Sequence, residues 1–150
     1  LTPGPGPRII PWKRASIGPL ICFEIIFPDH VRRLAKLNPV LLVNATNDAW
    51  FGESIKPQHL AMSRLRAVEN RIPLARVAND GISAIYDAWG EELARLESGE
   101  RKALSVRVSV GPKGSLYTRL GNWIVFICFA IPAVTWWWRR RHVTADRIAS

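Results

Sequence analysis

The residue best suited to covalent chemistry in this sequence is Cys22, set in Gly18-Pro19-Leu20-Ile21-Cys22-Phe23-Glu24-Ile25-Ile26-Phe27-Pro28. A thiolate is intrinsically nucleophilic, and its thioester stays reactive enough for an amine to attack. Cys22 falls where an apolar run gives way to a loop, and strand ends are where α/β sheets present reactive groups. Position alone favours a plainer reading, because a cysteine on an apolar strand is more often a small buried hydrophobe. Glu24 shifts the balance. Its carboxylate stands among Ile21, Phe23, Ile25, Ile26 and Phe27, where an uncompensated charge is costly. It needs a task, such as orienting a base or binding substrate groups, or a salt bridge to Arg32 or Arg33.

Two other segments have the composition of site loops. In Asn47-Asp48-Ala49-Trp50-Phe51-Gly52, the first two residues favour a turn, Gly52 allows unusual backbone angles, and Trp50 and Phe51 offer apolar surface suited to lipid. An ordinary turn with a buried Trp fits that composition equally well. Asn79-Asp80-Gly81 reads as a hairpin turn. Two cysteines, Cys22 and Cys128, and three widely spaced histidines make neither a disulfide framework nor a metal-ligand pattern, so no metal is expected.

The elements that must position these residues follow from periodicity. Ala15 to Phe23 predicts a buried strand, and Phe27, Val31, Leu34 and Ala35 predict a helix from Pro28 to about Leu37. Val40 to Ala45 predicts a strand buried on both faces. Ala61, Leu65, Val68 and Ile72 mark the inward face of a second helix, with Arg64, Arg66, Glu69 and Arg71 on its other positions and Pro57 and Pro73 at its limits. Strands follow at Leu74 to Ala78, Ile82 to Ala88 and Ala103 to Val110, while the Pro- and Gly-rich opening, 1–11, reads as a loop. The order predicts an α/β domain with helices laid against a sheet.

A net charge of +9 and a pI near 10.6 raise the question of nucleic acid. Distribution answers it: the densest basic run, Arg139-Arg140-Arg141-His142, directly follows the most apolar stretch, and no nucleic-acid-binding spacing appears. Leu120 to Trp138 carries no charge, and nineteen helical residues reach roughly 28 Å, close to the ~30 Å of a bilayer core. Trp123 near one end and Trp136, Trp137 and Trp138 at the other suit headgroup level. The expectation is a transmembrane helix with the basic tail cytoplasmic and the preceding domain outside. That topology, and a first residue that is not Met, predict a longer parent chain.

The motif around Cys22, followed by Asn44-Ala45-Thr46-Asn47-Asp48-Ala49-Trp50-Phe51-Gly52 and by Asn79-Asp80-Gly81, resembles the core of apolipoprotein N-acyltransferases, membrane members of the nitrilase superfamily. The likeness runs from about Gly18 to Gly90 and resumes at Leu116-Tyr117-Thr118-Arg119-Leu120-Gly121-Asn122-Trp123. It implies the C-terminal part of a nitrilase-type αββα sandwich at 1–118, a transmembrane helix at 119–138 and a cytoplasmic tail at 139–150. It also implies a Glu-Lys-Cys triad whose cysteine is Cys22. The triad's glutamate and lysine lie upstream, and none of Lys13, Lys36, Lys56, Lys102 or Lys113 stands in the matching context. The resemblance assigns Glu24 a functional role and the Phe23 backbone an oxyanion-hole role, with Phe23 replacing the family's tyrosine. Asn47, Asp48, Trp50, Phe51, Gly52, His59 and Asn79 would bind substrate or shape the site, His59 as a structural hydrogen-bonder. The implied partners are a phospholipid acyl donor, a diacylglyceryl-lipoprotein acceptor and the bacterial inner membrane, with the domain on the periplasmic side and no cofactor. Alternatives are a soluble nitrilase-type amidase using the same cysteine, and a non-catalytic membrane-tethered remnant of the fold.

Overall fold

A computed structural model of the chain describes residues 4–112 and 114–146, with side chains through Arg139. It divides into two compact units, Leu1–Arg119 and Leu120–Ser150.

The first unit is built on one six-stranded mixed sheet in sequential order. Its strands are β1 (Ile10–Trp12), β2 (Ala15–Ile21), β3 (Leu41–Thr46), β4 (Leu74–Ala78), β5 (Ser83–Tyr86) and β6 (Glu92–Leu96). The middle three run parallel, with Ile21 opposite Ala45 and Thr46 opposite Ala78, and the flanking pairs are antiparallel. Parallel neighbours need crossovers, and helices supply them: α1 (Pro28–Ala35) joins β2 to β3 and α2 (Ile55–Asn70) joins β3 to β4. Burial alternates along the strands, so Leu20, Leu42, Leu74, Ala84 and Tyr86 pack with Val31, Leu34, Leu60 and Ala67 of the helices. Gly18 permits the close approach of α1, since a Cβ there would sit 2.8 Å from Leu42 and 3.2 Å from Leu34. The intervening positions are less covered, up to Ile21 at 70% exposure.

The structure corrects several expectations. β2 ends at Ile21, and Cys22 opens a 3₁₀ turn, Cys22–Ile26, rather than finishing a strand. The Pro-rich opening contributes β1, because Ile10 and Trp12 pair with Ile17 and Ala15. Residues 103–110 form no strand, and the last sheet position goes to β6, closed by the tight turn around Asp87 and Gly90. The alternation of Leu104, Val106, Val108 and Val110 had suggested otherwise, but alternation makes a strand only where a neighbour offers free edge groups. α2 is turned from its predicted orientation. Its buried residues are Lys56, His59, Leu60, Ser63, Arg66, Ala67 and Asn70, whereas Leu65 is exposed. The inward face is polar because it packs over buried polar groups of the sheet, described below.

In the second unit, the helix α4 (Trp123–Asp146) does not begin at Leu120. Leu120 ends the short helix α3 (Leu116–Leu120), and Gly121, at φ +66°, lies between it and α4. The uncharged part of α4 is therefore Trp123 to Trp138, sixteen residues, or about 24 Å. No helix among the described residues is long and apolar enough to cross a membrane. The expected basic tail, apart from Arg139, lies outside the residues whose side chains are described.

Candidate active site

Parallel strands bring their C-terminal ends to one edge of a sheet, and the residues that follow β2, β3 and β4 meet there. Cys22 leaves β2 with φ +48°, in the left-handed region that non-glycine residues seldom occupy. Such strain persists where surrounding contacts over-determine it. Those contacts are visible: the Asn44 side-chain amide donates to the carbonyls of Leu20 (3.3 Å) and Cys22 (3.2 Å), and the Arg66 Nε donates to the Ile25 carbonyl (3.0 Å). The thiol of Cys22 is half-buried, with Thr46 Oγ1 at 3.4 Å.

Behind the thiol lies a buried ionic network. Asp48 and Arg76 are both shielded from solvent and pair directly through Asp48 Oδ2 and Arg76 Nη2. Arg76 also donates to Asn44 Oδ1 (2.8 Å) and to the Ile82 carbonyl (3.2 Å). Asp48 Oδ1 accepts from Thr46 Oγ1 (2.9 Å) and sits 3.0 Å from His59 Nδ1. The same Nδ1 lies 3.2 Å from Arg76 Nη2, so it donates to Asp48 in one tautomer and accepts from Arg76 in the other, and Nε2 is buried without a hydrogen-bond partner. Burial, reinforced by the Arg76 guanidinium, holds His59 below the usual imidazole range, against the opposing pull of Asp48 and the Cys22 backbone. A neutral imidazole fits that position.

The loops are pinned to one another. Asp48 N–H donates to the Asp80 carbonyl (2.8 Å), and Asn79 N–H to the Thr46 carbonyl (2.9 Å). Gly81, at φ +122°, lies so close beneath Asp48 that a Cβ would come within 2.6 Å of its carboxylate. Lys56, nearly fully buried, bridges Glu53 (2.8 Å), Asp80 (3.2 Å) and Ser98 (3.2 Å). Its hydrogen bond to Glu53 leads the effects that raise the Lys56 pKa, while the Ser98 hydroxyl and then Lys56 lower that of Asp80.

The singled-out residues divide by place. Cys22, Asp48 and His59 come together, and Phe23, tilted, and Phe51, edge-on, pack against the His59 ring at centroid separations of 6.2 and 5.4 Å. Phe23, Ile26, Phe51, Ile55, Gln58, His59 and Met62 line a cavity of about 350 Å³. Glu24 forms no salt bridge to Arg32 or Arg33: its Oε2 accepts the Ile21 N–H (2.8 Å), its Oε1 lies 3.8 Å from His30, and Arg32 pairs with Asp29 instead. Trp50 stands 83% exposed, so the buried-Trp reading of that turn fails. Asn47 caps its own turn through Ala49 N–H (3.2 Å). Gly52 is exposed, has no left-handed φ and has open space around it, so the turn makes no use of its backbone freedom. Asn79 is exposed and joins through its backbone.

Sequence reasoning missed Asn44, Thr46 and Arg76. The signals were present: Asn44 interrupts the Val40 to Ala45 run, and Arg76 is a charge inside the apolar strand Leu74-Ala75-Arg76-Val77-Ala78.

Comparison with known proteins supplies the family. The carbon-nitrogen hydrolase family model matches residues 1–112. The chain belongs to the carbon-nitrogen hydrolase family. Within it, the chain is 41% identical over 134 residues to an apolipoprotein N-acyltransferase of Geobacter metallireducens, covering 89% of this chain and 26% of that protein. It is 52% identical over 86 residues to one of Rickettsia prowazekii, covering 57% and 17%. The chain thus spans about a quarter or less of the length of these curated relatives. Among solved carbon-nitrogen hydrolase folds, an amidase of Nesterenkonia sp. AN1 superposes with a TM-score of 0.55 at 27% identity, over 65% of this chain and 41% of that one. That amidase has an active-site cysteine to which acrylamide adds covalently. Saccharomyces cerevisiae Nit3, at 23% identity and a TM-score of 0.59, shares the fold over 67% of this chain and 40% of its own.

Proposed function

We propose that this chain is the nucleophile-bearing part of an apolipoprotein N-acyltransferase, moving a fatty acyl group from a phospholipid to the α-amine of a lipoprotein's diacylglyceryl-cysteine. The observation that carries the reading is Cys22, held at φ +48° on the edge where three parallel strands end, its neighbour Phe23 lining an apolar cavity. Cys22 attacks the phospholipid ester carbonyl, its proton passing to a general base, and the lysophospholipid leaves a thioester on the sulfur. The lipoprotein amine then attacks that thioester and frees the thiol. In the family's Glu-Lys-Cys mechanism the base glutamate and the lysine come from segments outside the matching contexts of this chain. The Phe23 N–H supplies an oxyanion donor, and Glu24 holds the turn by capping Ile21.

The remaining roles follow from placement. Asp48 and His59 fix the floor of the site, with Asn47, Gly52 and Asn79 shaping the loops above it. Phe51 and the exposed Trp50 offer apolar contact to a lipid donor. The exposed Phe126, Phe129 and Ile131 of α4 seat that helix in a bilayer, and Arg139 and the basic residues after it are drawn to anionic headgroups. We place the catalytic unit on the periplasmic face of the bacterial inner membrane.

In the complete enzyme incubated with labelled phospholipid, Cys22 should carry a hydroxylamine-sensitive acyl thioester that Cys22→Ala abolishes. Label persisting in Cys22→Ala excludes Cys22 as the acyl carrier.

A further inference from the structure

The hydroxyl of Thr46 stands between two acceptors, 3.4 Å from Cys22 Sγ and 2.9 Å from Asp48 Oδ1. A hydroxyl has one hydrogen, so it serves one of them at a time. Thr46 is only 8% exposed, on the last residue of β3, which leaves its side chain little freedom beyond rotation of that hydrogen.

Asp48 does not depend on this hydrogen. Arg76 satisfies Oδ2, and His59 Nδ1 is within 3.0 Å of Oδ1. Among the described residues, the charged and titratable groups of the elements that meet at Cys22 are Asp48 from the loop after β3, His59 from α2, Arg76 from β4 and Glu24 from the 3₁₀ turn. Asp48 and Arg76 offset one another, and Glu24 is engaged by the Ile21 N–H and faces His30. Within this chain the group that the geometry offers to a negative sulfur is the Thr46 hydroxyl, a hydrogen-bond donor at 3.4 Å.

We propose that Thr46 is a further catalytic residue, whose hydroxyl donates to Asp48 while Cys22 is a thiol and turns to donate to the sulfur whenever that sulfur is a thiolate. This happens twice in a cycle that proceeds through a thioester: when Cys22 loses its proton before attack, and when the amine expels it from the acyl group. The proton of Cys22 goes to the general base and Thr46 keeps its own, so only hydrogen bonds change partners. A hydrogen bond to a charged group stabilises more than one to a neutral group, so the donor favours the thiolate over the thiol. Asp48 acts through Thr46 as a positioning residue, holding the hydroxyl in reach between turnovers.

The inference rests on Cys22 as nucleophile, and its test uses a readout independent of the acyl reaction. In the complete enzyme, the rate of Cys22 alkylation by iodoacetamide is followed against pH in Thr46→Val, which removes the hydroxyl at nearly constant volume, and in Thr46→Ser, which keeps it. Thr46→Val should move the alkylation midpoint up by about one pH unit and slow acyl-thioester formation at neutral pH about tenfold. Thr46→Ser should behave as the unsubstituted enzyme does. A packing role predicts the reverse order, with Val tolerated and Ser impaired, and that result overturns the proposal, as does a Thr46→Val profile superimposable on the unsubstituted one. If the unsubstituted enzyme alkylates at Cys22 yet never forms a thioester, the acyltransferase reading fails, and the alkylation profiles still decide the role of Thr46.

Discussion

Along α2 the inward side chains include Lys56, His59, Ser63, Arg66 and Asn70, while Leu65 stands 44% exposed to solvent. Along α4 apolar side chains also stand outward: Phe126 is 75% and Phe129 74% exposed. Each helix departs from the ordinary amphipathic arrangement for its own reason. α2 covers a polar site, so its inner face must supply partners to buried charges. α4 presents apolar side chains around its circumference. The inside-out distribution thus follows buried polar groups in one helix and leaves apolar side chains at the surface in the other.

The sharpest way to break the comparison is to remove a charge from the site under α2. Arg76→Ala leaves Asp48 buried without its main partner and should destabilise the fold by about 3–5 kcal/mol in denaturant titration, with Asp48→Asn in the same chain recovering part of the loss. A value below about 1 kcal/mol would mean that the network is hydrated rather than sealed. On α4, Phe126→Ser should weaken partitioning onto phospholipid vesicles by tenfold or more, from the roughly 1.5–3 kcal/mol of a buried Phe side chain, and leave the denaturant midpoint of the catalytic unit in place. Unchanged flotation would remove α4 as the membrane-seeking element. The smallest effect concerns pH. Burial and the Arg76 guanidinium hold the His59 pKa in the folded state below the usual imidazole value of 6.5, so as pH falls through that value the unfolded chain takes the proton first and stability declines. Above about pH 6.5 the contribution is fully present. His59→Gln should flatten the pH dependence of the denaturation midpoint between pH 6.5 and 5, and an unaltered slope would assign it to another group.

The fold was legible in the sequence where one period dominated. The runs around β3 and β4 and the prolines at the start of α1 and after α2 gave those elements to within a few residues. Where pattern and partner conflicted, the sequence misled: residues 103–110 alternate as a strand should, but sheet membership depends on an available edge. For α2, Ala61, Leu65, Val68 and Ile72 drew the predicted inward face, because periodicity assumes that apolar residues point inward, and here the underlying sheet carries Asn44 and Arg76. The candidate site divides in the same way. Cys22, Asp48 and His59 stood out by motif, while Thr46 and Arg76 acquire meaning from parallel pairing that sets β2, β3 and β4 side by side. No local signal reports that register.

The backbone at Cys22 also limits which atoms can ever be tried in that place. A left-handed turn admits unbranched side chains far more readily than β-branched ones. Of the two residues that would exchange sulfur for a hydroxyl oxygen, serine inherits the turn, while threonine must contend with the peptide geometry before its chemistry is tested at all. Redesign of the nucleophile is therefore a conformational problem first and a reactivity problem second.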